Sequence, residues 1–363
     1  MNLEDLIRPD IATMEPYTPI FPFDVLAERL GRTPDEIIKL DANENPYGPS
    51  PKVKLALANL EYTHIYPDPE SRVLRRGLAT FTGLPVENIL AGSGADELLD
   101  LTMRLFLQAG DAFVSCPPTF GMYPFDAAVN TAHTVSVPRN SDFSLDIKGI
   151  EAVVALHSPK LLFVASPNNP DGSWLPDEDL EDLLKLPVVV VLDEAYVEFA
   201  GVKHSRISKV LDHDNLIVLR TFSKLAGLAG LRVGYGGFPA ALMPHLWKIK
   251  QPYNVSIAAS TAAITALGDM DWLADKVSLI IQERDRFQCK LSTIPFLRPY
   301  PSQSNFVLCQ VLGRDAHKFK LTLEQHGILI RHYRTPRLND HVRFTIGKPE
   351  QMNEVIDVLI SLV

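Results

Sequence analysis

Before Gly236 the chain is written as short apolar runs that end in polar residues, separated by stretches of helical spacing. Val188–Leu192 is an unbroken, mostly β-branched run, as expected of a strand buried on both faces of a sheet. Ala112–Cys116, Leu161–Ala165 and Ile217–Leu219 read as further strands, and another ends at Ala91. Leu74 and Leu78 share a face of a helix expected over Ser71–Phe81. Leu98, Leu99, Leu105 and Phe106 do so on a helix that opens at a Gly-Ser-Gly turn and stops at Gly110. Strands alternating with helices predict an open α/β sheet. After Gly236 the pattern changes to an alanine-rich helix, Ser256–Leu267, and a long amphipathic helix, Leu273–Leu291. A smaller α+β segment follows, with strands at Asn305–Val311, Ile328–Arg331 and Val342–Ile346 and helices at Ala316–His326 and Pro349–Leu362. The start is broken by Pro9, Pro16, Pro19 and Pro22, with a short helix at Phe23–Leu30. The expected division is an arm over 1–45, a large domain over 46–270 and a small domain over 271–363 that packs with the arm.

The strand ends carry the candidate chemistry. Phe120 follows the strand at Ala112–Cys116, and Asn169 lies in the turn SPNNPDG after Leu161–Ala165. Asp193 closes the β-branched run, where a carboxylate is costly to bury without a cationic partner, and Tyr196 follows it. Lys224 sits between the hydroxyls of Thr221 and Ser223 and a light segment leading to Arg232. A lysine that bonds to a carbonyl cofactor needs such a place: partly desolvated, near a phosphate site, on a loop after a strand. The helix start at Gly94, Ala95 and Asp96 leaves backbone N–H groups open to an anion. Each feature also has an ordinary reading, as a solvated lysine, a packing ring or a plain helix start. Their repetition at the carboxyl ends of strands, where open α/β sheets bind ligands, joins them into one site.

Composition narrows the classes. The 363 residues carry 35 Lys+Arg against 44 Asp+Glu, a net charge of −9, which argues against nucleic acid or an anionic membrane as the main partner. The three cysteines, Cys116, Cys289 and Cys309, form neither a disulfide framework nor a metal-ligand spacing. They fit a reducing compartment. MNLEDLIRPD lacks the apolar core of a signal peptide, and the apolar runs are too short to span a bilayer. A cytoplasmic protein without metal is expected.

DANENPYG, YPDPES, GSGADE, CPPTFGMY, SPNNPDG, VVLDEAYVEF, LRTFSKLAGLAGLRVGYG and VRFTIG occur in that order from Leu40 onward. In this set the chain resembles the fold-type I, pyridoxal-phosphate-dependent aminotransferases of classes I and II, and more narrowly their histidinol-phosphate branch. The resemblance implies a large domain with a mixed, mostly parallel sheet sandwiched by helices, plus a smaller α+β domain. It implies Lys224 as the Schiff-base lysine and proton shuttle, Asp193 on the pyridine nitrogen, and Tyr196 and Asn169 on the ring's 3′ oxygen. Phe120 would stack on the ring, and Gly94, Ala95, Asp96, Thr221, Ser223 and Arg232 would hold the phosphate. Arg343, with Arg331, Tyr47 and Asn169, would bind substrate. Tyr66 would reach the cofactor phosphate of the neighbouring subunit in a homodimer. The implied substrates are histidinol phosphate and the pair glutamate/2-oxoglutarate. An aromatic or broad-specificity aminotransferase and a phosphothreonine decarboxylase would share the cofactor residues. Two positions depart from the pattern: Phe120 stands where tyrosine is common, and Asp171 where threonine is usual. The latter is expected to add negative charge near the site.

Overall fold

The computed structural model describes residues 1–16 and 23–363, so Pro19 and Pro22 lie outside the described residues. Its strands are β1 (Ile38–Leu40), β2 (Ile89–Gly92), β3 (Ala112–Ser115), β4 (His133–Ser136), β5 (Leu161–Ala165), β6 (Val189–Asp193), β7 (Leu216–Thr221) and β8 (Gly234–Gly237), then β9 (Leu297–Pro299), β10 (Phe306–Val311), β11 (Ile328–His332) and β12 (His341–Thr345). A seven-stranded sheet has the order β2-β8-β7-β6-β5-β3-β4. Its strands β4, β3, β5, β6 and β7 pair in parallel, and β8 runs antiparallel to both of its neighbours. Helices cover both faces, so the central strands are buried except for the half-buried Val189 that starts β6, as their unbroken apolar sequences require.

The register of these strands builds the site. Ala165 pairs with Asp193, and Asp193 with Leu219, so the carboxyl ends of β5, β6 and β7 lie side by side. Asn169, Asp193 and the Thr221–Lys224 turn all emerge from that edge. The strand after Arg232 is nearly all glycine, and packing demands it. A Cβ on Gly234 would lie 2.6 Å from the backbone nitrogen of Ala95, at the start of the helix Gly94–Phe106.

The second sheet has five strands in the order β1-β11-β12-β10-β9. Its first strand comes from the N-terminal segment: Ile38 and Leu40 pair in parallel with Ile328 and Ile330. The helix Met270–Leu291 begins ahead of its expected start at Leu273. It ties the two sheets together, because Arg284 Nη1 donates to the carbonyls of both Phe199 and Ser304. One apolar cluster runs from Leu162, Val190 and Val218 to Phe306 and Phe344. The apolar pattern did not delimit the helices Pro51–Ala58, Met122–Val129, Ile147–His157, Asp177–Leu184 and Met243–Ile249, most of which are short. Among the described residues no helix is long and apolar enough to cross a membrane, and no His, Cys, Asp and Glu cluster forms a metal site.

Candidate active site

Lys224 lies in a single helical turn, Phe222–Leu225, directly after β7. Thr221 starts that turn: its Oγ1 accepts from the Ser223 nitrogen at 3.1 Å and bonds the Ser223 hydroxyl at 2.9 Å. The 41–48 loop closes over the turn. Lys224 Nζ donates to the Ala42 carbonyl at 3.2 Å, and Asn45 Nδ2 donates to the Leu225 carbonyl at 3.0 Å. Here the light segment serves protein packing. Gly227 has φ +65, and a Cβ there would lie 2.5 Å from the Gly48 carbonyl carbon. Desolvation, helped by the nearby Arg343 charge, lowers the Lys224 ammonium to about 8.

Asp193 is 6% exposed at the end of β6. Its Oδ2 accepts from the Tyr123 hydroxyl at 2.7 Å and its Oδ1 from the Ala195 nitrogen at 2.9 Å. Burial lifts its carboxyl to about 6, while those two bonds pull the other way. Phe120 packs edge-on against Tyr123, with ring centroids 5.5 Å apart. The Tyr196 hydroxyl accepts from Asn43 Nδ2 at 3.0 Å, and burial pushes it up to about 12. Asn169 Oδ1 accepts from Arg343 Nη1 at 2.6 Å, and Arg343 Nη2 donates to the Asp41 carbonyl at 2.8 Å. Arg232 Nη2 meets Asp96 Oδ2 at 2.6 Å, with both side chains 46% exposed. Gly94 leaves room for that guanidinium: its φ is +81, and a Cβ would lie 2.5 Å from Arg232 Nη2.

These residues line one small cavity of about 150 Å³, in which Asp193 and Lys224 meet Ala95, Asp96, Thr221, Ser223 and Arg232. Phe120, Asn169 and Tyr196 complete its wall. A wider cavity of about 700 Å³ shares Phe120, Asn169, Tyr196 and Lys224 and adds Arg331, Arg337 and Arg343. Among the described residues that line it there is no aspartate or glutamate. Lysine and arginine alone supply its formal charge, in a chain whose net charge is −9.

The sequence model of the family "Aminotransferase class I and II" matches residues 35–359. The chain belongs to this family. Among its relatives, the chloroplastic histidinol-phosphate aminotransferase of Nicotiana tabacum is 56% identical over 97% of this chain and 86% of its own length. The histidinol-phosphate aminotransferase of Roseiflexus castenholzii is 49% identical over 99% of this chain and 98% of its own. The crystal structure of histidinol-phosphate aminotransferase from Sinorhizobium meliloti in complex with pyridoxal-5′-phosphate superimposes with a TM-score of 0.89. It is 32% identical, with 98% of each chain covered.

In this aminotransferase the structure gathers Ala95, Asp96, Phe120, Asn169, Asp193, Tyr196, Thr221, Ser223, Lys224 and Arg232 around one cavity, with Gly94 set against Arg232 and with Arg331 and Arg343 in the adjoining cavity. It does not bring Tyr47 or Tyr66 there. Tyr47 packs against the core, with the ammonium groups of Lys276 and Lys348 5.3 and 5.9 Å from its ring centroid. Tyr66 is 80% exposed and stacks on Tyr253 at 4.7 Å. Asp171 corrects an expectation: it lines neither cavity. It is buried, accepting from Asn168 Nδ2 and, at 2.8 Å, from the Ser173 nitrogen, so it shapes the turn instead of charging the site. Asn43, Tyr123 and Arg337 were not foreseen. Tyr123 sits inside an apolar motif and reads as core, and Asn43 is hidden in a loop rich in similar residues. Nothing in the sequence marks Arg337 among the surrounding arginines.

Proposed function

We propose that this enzyme moves the amino group of L-histidinol phosphate to 2-oxoglutarate, giving imidazole acetol phosphate and L-glutamate. The observation that carries the reading is the cavity of about 700 Å³ beside Lys224, lined by Arg331, Arg337 and Arg343 and, among the described residues, by no aspartate or glutamate. Both donor and acceptor are anions, a phosphate ester in one half-reaction and a dicarboxylate in the other. Guanidinium groups bind both kinds of oxyanion through paired N–H donors. The relatives named above support the same substrate.

Pyridoxal phosphate fits the smaller cavity. Asp193 is a buried carboxylate suited to a cationic ring nitrogen, and the glycine at 94 leaves open a cradle that a Cβ would fill. Bound there, the cofactor supplies a carbonyl that bonds amines and a ring that withdraws electrons from the substrate α-carbon. Lys224 Nζ would anchor it, then take the α-proton as general base and return it as general acid. An ammonium lowered to about 8 loses and regains a proton at neutral pH with little penalty. Asp193, oriented by Tyr123 and the Ala195 amide, would hold the ring's nitrogen. Tyr196 and Asn169 would donate to the ring's oxygen. Arg232, Thr221, Ser223 and the helix start at Gly94 would hold the cofactor phosphate. Arg343, set by Asn169 and the Asp41 carbonyl, would hold the substrate's distal anion. One pocket serves both half-reactions in turn, which gives ping-pong kinetics.

A homodimer completes the reading. Tyr66, stacked on Tyr253, lines a surface cavity of about 530 Å³ with Ile65, Val73, Val255 and Ile257, and neither of the cavities that Lys224 lines. That apolar surface supports a subunit contact through which Tyr66 serves the neighbouring site. The test of substrate is a panel of amino donors with 2-oxoglutarate, read as glutamate formed. Histidinol phosphate is expected to give the highest kcat/KM. Preference for phenylalanine, or release of carbon dioxide without keto-acid consumption, would replace this reading.

A further inference from the structure

Arg337 lies in the loop between β11 and β12, and its Nη1 and Nη2 donate to the carbonyls of Arg139 and Asn140. Those carbonyls belong to the loop after β4, on the other sheet, so the two grips cross from the small sheet to the large one. The receiving loop is held firmly. Arg139 is buried and donates to the Cys116 carbonyl at 3.2 Å and the Phe143 carbonyl at 2.9 Å. Phe143 has φ +68, a backbone that a bulky residue keeps only when its surroundings impose it. They do so here. Its ring packs edge-on against Tyr300 at 4.9 Å and joins Leu308 and Leu338 in a small apolar cluster. The Arg337 guanidinium carbon lies 5.0 Å from the same ring's centroid.

A carboxylate presents a pair of oxygens, which a single guanidinium fork satisfies. A phosphate ester presents three terminal oxygens and up to about twice the charge, so it calls for further fixed donors. We propose that Arg337 is a specificity-determining residue. Clasped to the Arg139 and Asn140 carbonyls, it fixes the cavity wall and adds the cation that a phosphate ester requires and a carboxylate does not. This rests on the phosphorylated-donor reading above and assigns one of its half-reactions to a particular residue.

The holoenzyme carrying Arg337→Gln or Arg337→Lys tests it, with inorganic phosphate as an inhibitor and probe. Arg337→Gln is expected to raise both the KM for histidinol phosphate and the inhibition constant of inorganic phosphate by about tenfold, the loss of one charged contact. kcat should fall less than KM rises, and the KM for 2-oxoglutarate should move by less than about threefold. Arg337→Lys, which keeps the charge without the fork, should recover part of both losses, and it carries the test should the Gln variant not fold. Equal shifts for both co-substrates, or a phosphate inhibition constant that does not move, would overturn the proposal. Should the wild-type enzyme refuse histidinol phosphate, the substrate reading falls, while phosphate inhibition against its true donor still decides the role of Arg337.

Discussion

The Tyr123 hydroxyl donates to Oδ2 of Asp193 at 2.7 Å, from a fully buried ring to a carboxylate at the edge of the small cavity. The bond stabilises the carboxylate form of an acid that burial pushes up to about 6. Tyr123→Phe removes it with little change of shape and leaves Asp193 easier to protonate. Affinity for pyridoxal phosphate should fall by about tenfold to a hundredfold, since a hydrogen bond to a charged group is worth about 1.5–3 kcal/mol. Titration of the apo-protein with the cofactor measures this.

Lys224 gives a pH dependence. Its ammonium titrates at about 8 in the folded protein and about 10.4 when unperturbed. Only the neutral amine bonds a carbonyl, so the rate of covalent cofactor capture should climb about tenfold per pH unit below that point and level off above it. A depressed lysine means that the unfolded chain binds more protons between the two values, so this group makes the apo-protein more stable as pH rises through that window. Lys224→Met should flatten this dependence in thermal melts, and stopped-flow absorbance gives the capture profile.

Gly94→Ala should damage the phosphate cradle while leaving Lys224 and Asp193 unchanged. The new methyl would press on Arg232 Nη2, and the backbone φ of +81 disfavours any side chain. Cofactor affinity should fall by about tenfold or more while the purified chain stays folded. Equilibrium dialysis against pyridoxal phosphate, beside circular dichroism, separates the two effects.

Beneath the site, Arg220 and Glu198 form an ion pair at 2.5 Å with exposures of 2% and 3%. Glu198→Ala removes the hydrogen-bonded carboxylate from a buried guanidinium, leaving only the nearby Glu194 charge, and should cost up to about 3–5 kcal/mol in urea unfolding. Replacing both with apolar residues should recover most of that loss.

The strands and the site edge were legible because unbroken apolar runs permit few structures, and because their polar endings recur at one place. Asp193 was legible as a carboxylate that no buried strand keeps without purpose. Other features depend on distant segments that no local pattern reports. Asn43 reaches Tyr196, and Arg343 reaches Asn169, only after the two sheets pack together. Ile38–Leu40 falls within the stretch expected to be an arm, yet its partner strand lies near the other end of the sequence. Asp171 seemed a charge at the site because its neighbours Asn168 and Ser173, which absorb it, gave no sign that they would fold back.

The geometry converges on a single amine. Incubation with pyridoxal phosphate, reduction with borohydride and peptide mass spectrometry locate the lysine that bonds the cofactor. The added mass is expected on Lys224 and is expected to be absent from Lys224→Ala, which also loses glutamate formation from histidinol phosphate and 2-oxoglutarate. Label on another lysine, or none in a protein that still transaminates, would contradict this assignment.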